Sequence, residues 1–233
     1  MAILTSNIQI GFCHPDAPIL DATEPKAIET YDVKQRNTLR KDTIFHRCPA
    51  VQTYMYNTFR VNYPISATLD VVDQTLVCSD PKLLAVSSIN SNPLISWAGN
   101  ILELFCTNVF FFSDTPGVKM LIHPHKDSPL SPIIPAIVDV YKFPRTTHSS
   151  AFLSEGQRIE IKRGDPAYLV TFFTPNEERV KLVPCARPEI LEHVKIHEDY
   201  NRLTTVMKWK DLFKNALRFK PRNQIEKFKL DNR

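Results

Sequence analysis

Glycine is scarce in this sequence: there are five in 233 residues, against eighteen prolines. Turns must then be built mostly by Pro, Asn, Asp and Ser, and a phosphate cradle made of glycine amides has no material. Neither G-x-G-x-x-G nor G-x-x-x-x-G-K-[ST] occurs, which excludes nucleotide binding by a Rossmann turn or a P-loop. The cysteines (Cys13, Cys48, Cys78, Cys106, Cys185) are odd in number and widely spaced, with no C-x-x-C. That argues against a zinc ribbon or a thioredoxin-like redox pair and for reduced, buried thiols. No stretch approaches the ~18–20 apolar residues of a membrane-spanning helix. The start, MAILTSNIQIGFCHPDAP, has no basic stretch leading into an apolar one, so no secretory signal is expected and the cytoplasm is the default location. There is no G-x-S-x-G elbow around Ser149 and Ser150, which follow His148.

What is present reads as strands. VQTYMYNTFRVNYPISATLDVV alternates, is rich in Val, Tyr, Phe and Thr, and is broken by Pro64 into two short strands. Leu102 to Phe112 is too aromatic and β-branched for a comfortable helix, and its VFFF run belongs in a core. Pro116-Gly117 marks a type II turn before another strand. IPAIVDVYKFP and SEGQRIEIKRGDPAYLVTFFTP add three more, with a turn at Gly164-Asp165 and a buried strand from Ala167 to Phe173. About eight short strands separated by turn signals predict a mainly β fold: an antiparallel β-sandwich or distorted barrel with a C-terminal α-helical extension. The expected organisation is an extended N-terminal arm over residues 1–43, a β-rich core over 44–187 and a basic helical extension over 188–233.

The charge is lopsided. Residues 203–233 hold nine Lys/Arg against three acids, a net +6 in a chain of net +4, which leaves the rest near −2. Leu203, Val206, Met207, Phe213 and Leu217 fall on one helical stripe, with lysines on the remainder. Lys208, Lys210, Lys214, Arg218, Lys220 and Arg222 are therefore the candidate partner-binding residues, against the plainer reading of a solvated helix. A protein partner or self-assembly suits such a handle best, with nucleic acid as an alternative.

Spacing also raises metal and acid–base candidates. His123, His125 and Asp127 stand two apart in KMLIHPHKDSPLSP, and His193 lies 66 residues past Asp127. Two imidazoles and a carboxylate could form the facial triad of a metal-dependent oxygenase. His193 and His197 are an i, i+4 pair, but without a glutamate at 194 they read as an exposed pair on a helix. Glu177-Glu178 reads as a solvated turn. On balance no catalytic residue, metal ligand or cofactor is assigned from these patterns.

Four segments carry a resemblance. They are RCPAVQTYMYNTFRVNYP, WAGNILELFCTNVFFFSDTPGVKMLI, KDSPLSPIIPAIVDVYKFP and IEIKRGDPAYLVTFFTP. In order and character this stretch, about residues 44–188, resembles a phage and bacterial family described only as a domain of unknown function. AIVDVYK (136–142) and RGDPAYLVTF (163–172) are also similar to two strands of the deoxyuridine triphosphatase fold. That likeness implies a trimer-capable β architecture and puts Asp139 where that fold's water-orienting aspartate stands. The arginine of its phosphate grip has no counterpart in PHKDSPLSP, and its Gly-rich closing arm has none either. The reading that follows is a non-catalytic β-rich binding or assembly module, virus-associated, with a basic C-terminal partner helix. The alternative is a degenerate nucleotide hydrolase using Asp139, or an oxygenase using His125, Asp127 and His193.

Overall fold

The computed structural model describes residues 7–13, 25–27, 57–63, 66–73, 75–78, 95–97, 100–130, 133–142 and 145–185. They form fourteen strands: β1 (Asn7–Cys13), β2 (Lys26–Ala27), β3 (Thr58–Asn62), β4 (Ala67–Val72), β5 (Thr75–Cys78), β6 (Ile95–Trp97), β7 (Asn100–Phe112), β8 (Lys119–Pro124), β9 (Ile133–Ile134), β10 (Ala136–Asp139), β11 (Arg145–Leu153), β12 (Arg158–Ile161), β13 (Pro166–Phe173) and β14 (Arg179–Pro184). No helix occurs among the described residues, and none there is long and apolar enough to cross a membrane.

The strands make three sheets. One has six strands in the order β14-β1-β7-β11-β9, with β6 also on β7; a second runs β10-β8-β13-β3-β2; the third is β12-β4-β5. Period-two alternation sets their faces. In β12, Ile159 and Ile161 are buried and Arg158 and Glu160 exposed. In β1, Ile8, Ile10 and Phe12 turn into the core. The inner face of the five-stranded sheet carries Phe59, Val61, Met120, Ile122, Val170 and Phe172, all buried. Four rings link it to the six-stranded sheet. Phe12 lies 6.5 Å from Phe111, Phe111 lies edge-on to Phe172 at 5.6 Å, and Phe172 lies 6.0 Å from Phe59. Edge-to-face pairs at these separations add about 0.5–1.5 kcal/mol each beyond their buried area.

Val109, Phe110, Phe111 and Phe112 are all buried, so the end of β7 is covered on both faces. The expected breaks also fall in place. Pro64 separates β3 from β4, and Gly117 takes the positive φ of 82° that position i+2 of a type II turn requires. Gly164, at φ 90°, turns β12 into β13, with the Lys162 amide donating to the Asp165 carboxylate at 2.8 Å.

Three expectations are corrected or refined. The sheets do not close into a barrel. Pairing is antiparallel throughout except that β1 and β14 run parallel, Asn7 facing Arg179 and Phe12 facing Pro184. A parallel pair needs a long connection, and here almost the whole described chain lies between the two strands. The segment expected as an arm over 1–43 contributes β1 to the middle of one sheet and β2 to the edge of another. The helical extension over 188–233 lies outside the described residues.

Candidate functional site

The H-x-H-x-D spacing sits where β8 runs out. Strand alternation puts His123 on the outer face of the five-stranded sheet, opposite Leu169 of β13. Its Nε2 is 2.9 Å from Thr171 Oγ1, and Thr171 Oγ1 is 2.8 Å from Thr58 Oγ1. The result is a chain of three polar side chains across β8, β13 and β3, in which Thr58 and Thr171 are fully buried. Burial lowers the His123 pKa below its ordinary 6.5, and the neighbouring His125 lowers it further.

His125 lies just past the strand and does something different. Its buried ring accepts the Asp127 amide at Nδ1 (3.1 Å), and its carbonyl accepts the Ser128 amide at 3.1 Å. Ser128 Oγ in turn accepts the Leu130 amide at 3.3 Å. This loop is thus a series of side-chain-capped turns, a common use of short polar side chains next to Pro. Asp127 Oδ2 is 4.0 Å from His125 Nδ1, and the carboxylate points mostly into solvent. The Tyr63 hydroxyl is buried close by, and burial raises its pKa well above the usual 10.0.

The three residues of the motif therefore do not converge. His123 turns to the sheet face, the Nδ1 lone pair of His125 is occupied by an amide, and Asp127 is exposed. Among the described residues no three His, Cys, Asp or Glu side chains group closely enough to hold a metal ion. His193, the proposed third ligand, and His197 lie outside the described residues. So do the six candidate partner-binding residues Lys208, Lys210, Lys214, Arg218, Lys220 and Arg222.

Asp139 ends β10. Its Oδ1 accepts the Tyr141 amide at 3.2 Å and the Lys142 amide at 2.9 Å, with Lys142 Nζ 4.0 Å from Oδ2. That is an Asx-type turn, in which the carboxylate closes the chain reversal. Cys78 is half-buried, and Cys185 is a buried free thiol. Glu177-Glu178 departs from the solvated pair expected. Glu177 is exposed, but the Oε2 of Glu178 is buried and has no hydrogen-bond partner among the described residues.

Sequence reasoning missed the two threonines that give His123 its role. Their signal was present but weak: Thr58 and Thr171 occupy positions of the same parity as His123 once the strands are aligned. It also missed Ile137, the most exposed large apolar residue among the described ones at 69%, and Phe173 at 48%. No family model matches the chain and no curated protein matches it, so both likenesses drawn above stand on their quoted motifs alone.

Proposed function

We propose that this chain is a non-catalytic β-rich binding or assembly module, cytoplasmic in a host cell and virus-associated, whose basic C-terminal segment contacts a partner. In this reading the core is a sandwich of the six- and five-stranded sheets, and it serves as a rigid support. One observation carries the proposal. Three of the polar side chains that spacing offers for chemistry are committed to holding the fold: His123 to Thr171, His125 to the Asp127 amide, and Asp139 to the amides of Tyr141 and Lys142. The Asp127 carboxylate points into solvent apart from them. A general base or metal ligand needs its lone pair directed at a substrate or ion, and those of the three are directed at backbone and neighbouring strands. The likeness to the phage and bacterial family and the +6 charge of residues 203–233 support the same reading.

Elemental analysis of the purified full chain, with thermal shifts against a panel of deoxynucleotides, tests it. The expected outcome is no stoichiometric iron or zinc and no shift. Iron or zinc at one per chain would turn the reading to the oxygenase of His125, Asp127 and His193. A shift of several degrees with a deoxynucleotide, lost in Asp139→Ala, would turn it to the nucleotide hydrolase.

A further inference from the structure

Open sheet edges invite unwanted pairing, and proteins usually blunt them with charge, Pro or short length. Two edges here follow that rule. β14 presents Arg179 and Lys181 and ends at Pro184, and β12 presents Arg158 and Glu160. β10 is as short as β12 and ends in Asp139, but the middle of its edge is apolar: its outward-facing Ile137 is 69% exposed. The Val140 amide donates to the Val118 carbonyl at 3.2 Å, and Val138 and Ala136 stand at the same phase against Met120 and Ile122. Antiparallel alternation then turns the N–H and C=O of Ile137 and the N–H of Asp139 away from β8, where no described residue meets them.

Beside this edge Ile137 is opposite Leu121, and the next row of the same face holds Phe173, 48% exposed, opposite Lys119, which in turn faces Asp139. Val77 of β5 is also exposed on an edge, but it is opposite Asp70, which pairs with Arg158 at 3.6 Å, so its own row runs into charge whereas that of Ile137 runs into Leu121.

We infer that the β10 edge is a self-association surface, where a second copy of this chain pairs antiparallel about a two-fold axis through Ile137. The register is self-complementary. Each copy offers two outward donors, on Ile137 and Asp139, and three outward acceptors, on Pro135, Ile137 and Asp139. With Ile137 opposite Ile137 both donors pair, and the Asp139 carbonyl, facing Pro135, is the one group left to solvent. Pro135 supplies only an acceptor, and the amide of Asp139 in the other copy is the donor it meets. The two five-stranded sheets become continuous, and Ile137 and Leu121 of both copies form one apolar row across the seam. Asp139 faces Pro135, so no like charges stand opposite each other. A four-residue edge is small for an interface, which makes the dimer reversible and weak. This deepens the assembly reading given above and is separate from the basic segment.

Sedimentation velocity of the full chain over about a hundredfold range of concentration, reaching well above the micromolar affinities expected of so small an interface, tests the inference. Wild type should shift from monomer to dimer, and Ile137→Lys, at an exposed site, should remain monomeric with an unchanged circular dichroism spectrum. Hydrogen exchange of the wild type gives a readout that needs no variant: the 136–140 segment should gain protection as concentration rises. A chain that stays monomeric throughout overturns the inference. So does a dimer that Ile137→Lys leaves intact with no protection at 136–140. If that dimer is instead lost when the basic residues of 203–233 are neutralised, the assembly reading survives and the β10 edge does not.

Discussion

Gly11 shows how one residue can be fixed by its neighbour. It faces Phe112 across β1 and β7, and a Cβ built on it would run into the Phe112 ring. Phe112 is itself buried and packed 6.0 Å from Phe110, so it has little room to retreat. Gly11→Ala is therefore expected to destabilise the fold by about 1–3 kcal/mol, the usual cost of overpacking. Adding Phe112→Leu should recover part of that loss, which urea denaturation of the two single variants and the double variant would measure. His123 sets a pH dependence at the same scale. Because burial lowers its folded pKa, the unfolded chain takes up this proton first as pH falls. Its contribution is intact above the unfolded value of about 6.5 and declines as pH drops from there toward the folded value. His123→Gln should therefore flatten the loss of stability between neutral and mildly acidic pH, read as the urea midpoint of each protein at several pH values. A variant as pH-sensitive as the wild type would remove His123 from that account.

At the scale of elements, Asp139 separates structure from chemistry. Its carboxylate closes the turn after β10, so Asp139→Ala should cost about 1 kcal/mol through the lost hydrogen bonds, while Asp139→Asn keeps the Oδ1 acceptor and should recover most of it. A catalytic carboxylate would behave differently, since an amide cannot orient a water as a base does. Thermal denaturation of the three proteins decides whether the turn accounts for the residue. Much at this scale was legible in the sequence. β3 and β4 on either side of Pro64, the long β7, and the β12–β13 hairpin at Gly164 all announce themselves by alternation bounded by turn residues. β1 did not, for two physical reasons. NIQIGFC leads into a Pro- and Asp-rich stretch that masks its alternation. Its neighbour β14 lies parallel to it and far away in the chain, so no local turn signals the pairing. The candidate site was legible only as spacing. That His123 ends on a strand while His125 starts a loop, and so point to different partners, depends on where β8 stops, and a spacing of two does not reveal that.

For the whole molecule, the uneven charge is the property from which most follows. Residues 203–233 carry +6 and the remainder about −2, so an anionic partner is drawn to one part of the chain. The two classes of partner differ in their dependence on salt. A nucleic acid bound through Lys208, Lys210, Lys214, Arg218, Lys220 and Arg222 would release condensed counterions, giving a slope of log K against log salt of about −4 to −5 for six phosphate contacts. An acidic protein surface has no condensed counterion layer of that density, and its binding should weaken more gently as exposed charges are screened over roughly 10 Å. Replacing the six residues by Gln in the full chain should abolish most of the slope in the first case and reduce affinity with little change of slope in the second. Fluorescence anisotropy with a labelled oligonucleotide at a series of salt concentrations reads the difference directly. The replacement should leave the urea midpoint of the β core unchanged, because the buried Phe, Val and Ile side chains that hold the described sheets together all come from residues 8–180. A drop in that midpoint would mean that the basic segment packs on the core, and its charges would then have to be explained first as part of the fold.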